Sequence, residues 1–423
     1  MFNTVGVSIF LYNMGIRLFR AGVGLAARYG KVKAKAWIEG RERLWPELEA
    51  AVAEPKPAIW VHAASLGEFE QGRPVLESLR TRYPGHRIVL TFFSPSGYEV
   101  RKNWPGADFV CYLPLDTPEN AARFLDGVRP QLAIFIKYEF WYHFLTALYA
   151  RKVPVLLISG IFRHKQLFFR PWGGVPMFKG LLRKMDHLFV QNETSITLLH
   201  NIGIKAVTLA GDTRFDRVWA LRQQPVALPA IEAALRLEKV LVAGSTWEAD
   251  EAALAEWWYG GGKEGRQLVL APHEIDTAHL DKIQALFPDA VLFSQLNGRQ
   301  PDVLVIDNVG MLSALYRYGR VAYVGGGFGK AGIHNLLEPA TYGRPVIIGP
   351  VYQQFFEAEM LVQLRGAIVV QNAKELARAI EALNDPFYYG QTAEIAARFV
   401  EDHKGATEKI MGYIQEKRFL TSE

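Results

Sequence analysis

Cysteine is nearly absent. The chain has 423 residues and one cysteine, Cys111, set inside an apolar run. That excludes a disulfide framework and a cysteine-built zinc site, and it fits a reducing compartment. No short repeat, low-complexity tract or heptad array runs along the chain, so neither a solenoid nor a coiled coil organises it. An excess of one charge is also lacking. Lys and Arg number 48 and Asp and Glu 43, a formal net charge of +5. Such a mild excess suits an anionic surface or ligand and does not point to nucleic acid. The amino end shows neither the leading charges nor the small-residue cleavage site of a signal peptide.

What is present is apolar surface. Half of the residues are hydrophobic, and the length exceeds one ordinary core and fits two domains. Residues 5–19 are apolar except for Ser8, Asn13 and Arg17, and Arg20, Arg28, Lys31, Lys33, Lys35, Arg41 and Arg43 follow. The run is short of the ~20 residues a spanning helix needs. Residues 1–50 are therefore expected to form an amphipathic, membrane-associating segment. Its basic stretch would face anionic lipid at the cytoplasmic face of an inner membrane. The other reading is a first helix packed on the globular body.

From residue 58 onward, short apolar runs alternate with helical patterns. The first series comprises 58–64, 87–93, 131–136, 153–159, 187–191 and 206–210, with amphipathic stretches such as 69–82 and 140–149 between them. The second comprises 240–243, 267–270, 303–306, 321–324, 346–348 and 367–370. Such alternation predicts parallel sheets covered by helices on both faces. The expected division is a first Rossmann-like domain over 51–216, a linker over 217–239 and a second Rossmann-like domain over 240–423. The stretch 391–419 is expected to be helical throughout. Function belongs in the loops after the strands, because open α/β sheets bind ligands beyond their carboxyl ends.

Four loops stand out. After the first run comes His62-Ala63-Ala64-Ser65-Leu66-Gly67-Glu68, where Gly67 is expected to ease a tight turn into a helix. Glu68, in that helix's first turn, suits a general base toward a sugar hydroxyl; the competing role is a carboxylate stabilised by the helix dipole. In the second half, Gly325-Gly326-Gly327-Phe328-Gly329-Lys330-Ala331-Gly332 runs on to Asn335-Leu336-Leu337-Glu338. Its backbone amides suit phosphate. A dinucleotide site would also want an acid after the next strand, and Ile348-Gly349-Pro350 stands there. A nucleotide-sugar phosphate is the better fit, with Glu338 toward ribose hydroxyls or in a salt bridge within the helix. Val309-Gly310-Met311 and Ala271-Pro272-His273-Glu274 end two further strands. His273 and Glu274 lack a third ligand at a supporting spacing, so no metal is expected. Lys137, Arg163 and Arg214 each follow a first-half strand and together suit an anionic substrate, although each also reads as an ordinary surface charge.

Ser65-Leu66-Gly67-Glu68, Glu139-Phe140-Trp141, Gly211-Asp212-Thr213-Arg214-Phe215-Asp216, Val324-Gly325-Gly326 and His334-Asn335-Leu336-Leu337-Glu338-Pro339 together resemble the 3-deoxy-D-manno-octulosonic acid (Kdo) transferases. The resemblance spans residues 59–350. It implies a GT-B fold: α/β, two Rossmann-like doubly wound domains with a cleft between them. It implies a CMP-Kdo donor, a lipid A precursor (lipid IVA) as acceptor, inversion at the anomeric carbon, and neither metal nor cofactor. By position, Glu68 resembles the family's general base, and Arg214 falls where the family has a lysine that steadies developing charge. Asn335 to Glu338, Val309 to Met311 and the Ala271-Pro272 turn fall on CMP-contacting positions. Lys137 stands where the family often has a carboxylate, Ala271-Pro272-His273 where it often has Pro-Arg-His, and Ile333 where it usually has glycine. Lys137 and Arg214 are expected at the reaction centre. His273, Gly326 and Gly327 are expected at the donor, and Ser65, Gly67, Glu139 and Arg163 on the acceptor side. The rival readings are a UDP-sugar GT-B enzyme or epimerase, and a non-catalytic lipid-binding membrane protein.

Overall fold

The apolar runs become parallel strands because each offers both faces to a helical layer; every residue of the strands 58–63, 87–92 and 155–160 is buried. The structure is a computed structural model and describes residues 4–169, 176–236 and 238–421. Two units result, Met1–Asp216 with Gly405–Glu423, and Arg217–Lys404.

The first unit holds β1 (Ala58–Ala63), β2 (Arg87–Phe92), β3 (Phe109–Tyr112), β4 (Pro130–Ile136), β5 (Val155–Gly160), β6 (His187–Val190) and β7 (Val207–Leu209), ordered 3-2-1-4-5-6-7. The second holds β8 (Val240–Thr246), β9 (Gln267–Pro272), β10 (Val291–Leu292), β11 (Val303–Val305), β12 (Val321–Val324), β13 (Val346–Ile348) and β14 (Ala367–Val369), ordered 10-11-9-8-12-13-14. Strand order reverses between β1 and β4 in one sheet and between β8 and β12 in the other, and such switch points open the ligand crevices of doubly wound sheets. The loops and cations singled out by sequence follow β1, β4, β5, β7, β9, β11 and β12.

Four helices lead into and out of β1: α1 (Thr4–Arg28), α2 (Val32–Glu42), α3 (Leu44–Ala51) and α4 (Leu66–Arg82). Gly72 lets α4 lie directly on β4, since a Cβ there would meet Ile136 Cδ1 at 2.1 Å. α1 packs on the body along one side. Tyr12 Oη donates to Asp116 Oδ2 at 2.5 Å, and Asp116 also accepts the amides of His143 and Phe144. Phe19 meets Trp37 and Phe93. Along the other side Val7, Phe10, Leu11, Met14, Leu18 and Leu25 are exposed. Among the described residues no helix is long and apolar enough to cross a membrane.

Two boundary expectations need correction. Residues 217–239 are not an open linker: the helix Thr213–Gln223 runs into them, Pro229–Ala234 follows, and both lie largely in the second unit; Leu237 is outside the described residues. Nor is 391–419 one helix within the second domain. Helix Pro386–His403 stops before Gly405, whose φ of 108° only glycine adopts readily. Helix Ala406–Glu416 then returns to the first unit, because its apolar stripe (Ala406, Ile410, Met411, Ile414) completes the core with Phe69, Leu76 and Leu79 of α4. Asp216 fastens that return by accepting the amides of Gly405 and Thr407 and the Thr407 hydroxyl.

Candidate functional site

In the first unit the site grows out of the ends of β1 and β4. Ser65 takes an extended φ of −142° as the N-cap of α4, and its hydroxyl makes no capping bond. Glu68 reaches back instead, Oε2 accepting the amide of Ala64, the residue before the N-cap, at 2.6 Å. Gly67 was expected to be needed for the turn. It sits inside the helix with no left-handed φ, and an added Cβ would meet nothing within 4 Å. Its small size leaves open space beside Glu68.

At the end of β4, Lys137 holds a left-handed φ of 70°, an uncommon conformation for a residue with a side chain. Two residues on, Glu139 Oε2 accepts Trp141 Nε1–H at 2.7 Å and lies 3.0 Å from His62 Nε2. His62, fully buried on β1, meets Thr91 Oγ1 at 2.8 Å through Nδ1, and that hydroxyl accepts Trp60 Nε1–H at 2.9 Å. The buried chain Trp60–Thr91–His62–Glu139 fixes the Glu139 carboxylate next to the β1 loop. Burial, then the Glu139 charge, push the Glu68 carboxyl up from its ordinary range to about 7, against the Ala64 and Ser65 amides and the Lys137 ammonium. The structure thus brings Glu68, Lys137 and Glu139 into one electrostatic group. Arg163 lies with Glu139, Trp141, Tyr12, Ile16 and Phe168 around an apolar cavity of about 740 Å³. Arg214 opens the helix after β7 and is clamped by Asp212, its Nε at 2.9 Å and Nη2 at 2.6 Å from Oδ2. Thr213 Oγ1 donates to the Gln71 carbonyl, one turn along α4 from Glu68.

The second unit builds its site at the ends of β8, β9 and β12. Gly325 approaches β8 so closely that a Cβ would meet the Ser245 carbonyl at 2.3 Å, and Gly327 faces Gly349 backbone equally closely, at 2.6 Å. Gly326, at φ 92°, donates its amide to Asp250 Oδ2 at 2.8 Å. Asp250 is fully buried and also accepts Tyr323 Oη at 2.7 Å and the Trp247 amide at 3.0 Å. The glycines therefore serve close backbone packing, and the expected phosphate cradle is corrected at Gly325 and Gly326, whose amides are taken by Gly244 O and Asp250. No helix follows the loop directly, the next being the five-residue Leu337–Thr341, which a dinucleotide fingerprint would not show.

Just before that short helix, Asn335 accepts the Leu337 amide at 3.2 Å and donates to Glu338 Oε1 at 3.2 Å. The Leu336 and Leu337 side chains are buried core, so only their backbones can face a ligand. Burial raises the Glu338 carboxyl, opposed by Arg217 and Asn335. After buried Ala271 and the strand end Pro272, His273 stacks over Trp247 at 4.6 Å and over His334 at 4.5 Å, while Trp247 Nε1 donates to His334 Nε2 at 2.9 Å. Burial and His273 hold His334 down at about 4, so its ring is neutral near pH 7 and Nε2 accepts the Trp247 hydrogen bond. Val309 is 86% exposed and Gly310 has a φ of 100°; the helix entered through Met311 packs Leu312 on Gly244 at the end of β8. Among the described residues no three His, Cys, Asp or Glu cluster to hold a metal.

Sequence reasoning missed His62, Trp247, Asp250 and Arg217. Only Asp250 carried a signal, an acid three residues after the N-cap of helix Glu248–Trp257.

Comparison with known proteins assigns the family. The chain is 30% identical over 336 residues to the 3-deoxy-D-manno-octulosonic acid transferase of Aquifex aeolicus, covering 78% of this chain and 86% of that one. This chain belongs to the 3-deoxy-D-manno-octulosonic acid transferase family. The family profile described as "3-Deoxy-D-manno-octulosonic-acid transferase (kdotransferase)" matches residues 28–217. The Bordetella pertussis transferase is 28% identical over 417 residues, 92% of this chain and 91% of that one. In fold, the chain is similar to UDP-GlcNAc 2-epimerase from Neisseria meningitidis bound to UDP-GlcNAc. The TM-score is 0.59 at 15% identity, over 85% of this chain and all of that one. The expected GT-B fold and the expected family, one of glycosyltransferases, both hold.

Proposed function

We propose that this Kdo transferase moves Kdo from CMP-Kdo onto a lipid A precursor, lipid IVA, with inversion and without metal or cofactor. The observation that carries the reading is a carboxyl held near neutrality, Glu68, at the switch-point strand of the first unit. A general base works best when its pKa lies near the operating pH. Glu68 takes the proton of the attacking sugar hydroxyl, the hydroxyl oxygen bonds to the Kdo anomeric carbon, and the bond from that carbon to the CMP phosphate oxygen breaks. CMP leaves with the electron pair. Lys137 and Arg214 supply positive charge for the donor's carboxylate and departing phosphate. Asn335, Glu338, Gly327, the Val309–Met311 loop and the Ala271–His273 turn hold CMP. The apolar cavity beside Glu139, with Arg163 at its wall, takes part of the acceptor, and Ser65 and Gly67 leave room for its sugar.

The deciding assay is turnover with CMP-Kdo and a tetra-acylated lipid A precursor, with products read by mass. A second reading rests on the fold shared with a UDP-sugar epimerase. Calorimetry separates the two: CMP should bind with or without a chelator, and more tightly than UDP. Loss of CMP binding in chelator refutes metal independence, and tighter UDP binding moves the chain to the rival chemistry.

The site works at the cytoplasmic face of the inner membrane, held there by α1. Support comes from the exposed apolar stripe of α1 and the basic residues that follow it. Each large apolar side chain buried contributes about 1.5–3 kcal/mol. Replacing Phe10, Leu11 and Leu18 together by serine should therefore move most of the protein from the membrane to the soluble fraction, with the Tyr12–Asp116 contact left in place. Unchanged fractionation would dismiss the anchor.

A further inference from the structure

The amino ends of the second sheet's strands, opposite the loops described above, carry a row of cations. Four neighbouring strands, in the spatial order β9, β8, β12, β13, are each entered through a basic residue. These are Arg266 before Gln267, Lys239 before Val240, Arg320 before Val321, and Arg344 with Pro345 before Val346. Adjacent strands lie about 4.8 Å apart, so the four entries span a row of about 14 Å. All four residues line one cavity of about 450 Å³, whose walls include Leu241, Trp257 and Tyr389.

The row is not neutralised. Among the described residues none of the four makes an ion pair, whereas nearby Arg236 and Lys263 share Asp302 and Arg317 pairs with Glu232. Arg320 stacks its guanidinium on Tyr389 at 4.1 Å. Arg266 reaches only the Asn384 amide oxygen, at 3.4 Å. Arg344 donates one nitrogen to the Arg317 carbonyl, and its Nε is buried without a partner. One carboxylate, Glu238, is on the cavity's lining, and it is exposed. Helix carboxyl ends gather at this edge of an α/β sheet and attract a cation each. That attraction does not account for four cations turned to one cavity, where like charges repel. An anion with several charges would relieve the repulsion, and guanidinium groups match phosphate oxygens with paired hydrogen bonds.

We propose that this cavity is a second ligand site, separate from the loops at the carboxyl ends of the strands, and that it takes a phosphate-bearing molecule whose apolar or planar part rests on Tyr389 and Leu241. Its volume is that of a small-ligand cleft, about 300–1,000 Å³. The phosphate has two sources, a soluble phosphorylated metabolite or an anionic lipid headgroup, and the two arms of one experiment tell them apart.

Full-length protein in detergent, with saturating CMP throughout to occupy the donor site, is titrated with pyrophosphate by calorimetry. In parallel it is mixed with phosphatidylcholine vesicles with and without phosphatidic acid. The comparison protein is the double variant Arg266→Gln, Arg320→Gln, checked for unchanged thermal unfolding and unchanged CMP affinity. A soluble ligand predicts one saturable pyrophosphate site, with Kd below ~1 mM, weakened at least tenfold in the double variant. A lipid headgroup predicts that phosphatidic acid raises vesicle binding of the wild type several-fold more than that of the variant. Absence of both effects overturns the site, as does pyrophosphate binding undiminished in the variant.

Discussion

Glu68→Gln is expected to lower kcat by at least a hundredfold while leaving the fold, the helix start and CMP affinity unchanged. Glutamine keeps an oxygen to accept the Ala64 amide, so that hydrogen bond at the helix start survives; it cannot take a proton at neutral pH. Removing a general base costs ~10²–10⁴-fold in rate, whereas loss of a charge at a helix terminus costs roughly 0.3–1 kcal/mol of stability and no turnover. Stability separates the roles further. The folded-state pKa of Glu68 is about 7 against 4.5 ordinarily, so the folded state holds this proton more tightly than the unfolded chain. The associated stability is present below the ordinary value and is lost as pH rises toward 7. Glu68→Gln should remove that loss and be no less stable than wild type above neutrality. A variant retaining more than about a tenth of the rate would fall outside the range for base removal and would dismiss Glu68 as the base.

The same geometry fixes the pH profile. Turnover should rise with pH through a limb near 7, because only the Glu68 carboxylate accepts a proton. Glu139→Gln removes the second-largest influence raising that pKa, while burial and Lys137 stay in place, so the limb should move to lower pH. A profile that keeps its limb in Glu139→Gln while Glu68→Gln is inactive would leave the base standing and discard Glu139 as its tuner.

Much of this was legible in the sequence. Long apolar runs without alternation gave the central strands, because parallel strands buried on both faces need apolar residues at every position. The two strands that the runs did not reveal, β3 and β10, are sheet-edge strands. β10 is two residues long and half-buried, and β3 begins with a half-buried residue, so at an edge fewer positions need be apolar. Glu68 and Lys137 were found because they follow strands, and Glu139 through the family resemblance. His62 was passed over because a histidine inside a strand reads as core, and here it is core whose hydrogen bond reaches the site. The glycine-rich loop was legible as close backbone packing but not in its partner. Asp250 lies 76 residues before Gly326 in sequence, and only the pairing of β8 with β12 brings them together. The return of the last helix to the first unit was illegible for the same reason, since an apolar stripe does not say which sheet it covers.

That partner makes the second large effect. Asp250→Ala should abolish CMP binding and destabilise the second unit by ~3 kcal/mol or more. Three donors converge on this buried carboxylate: the Gly326 amide at 2.8 Å, the Tyr323 hydroxyl at 2.7 Å and the Trp247 amide at 3.0 Å. Alanine offers none of them an acceptor, and the site has no exposure to water. Each buried donor left unsatisfied costs about 1–3 kcal/mol, which places the sum in the range reserved for broken buried networks. The loss is also local to function. The Trp247 amide marks the start of helix Glu248–Trp257, whose N-cap ring carries the His273–His334 column. Gly326 holds the glycine-rich loop against β8. Releasing both loosens the walls of the donor site together. Asp250→Asn is the graded control: its single carbonyl oxygen still accepts, while its amide nitrogen faces a donor, so it should fall between alanine and wild type in both unfolding and CMP titration. If Asp250→Ala unfolds within about 1 kcal/mol of wild type, the spread typical of an ordinary substitution, and binds CMP unchanged, then the glycine-rich loop is held by its own close packing against Ser245 and Gly349 and the carboxylate is dispensable.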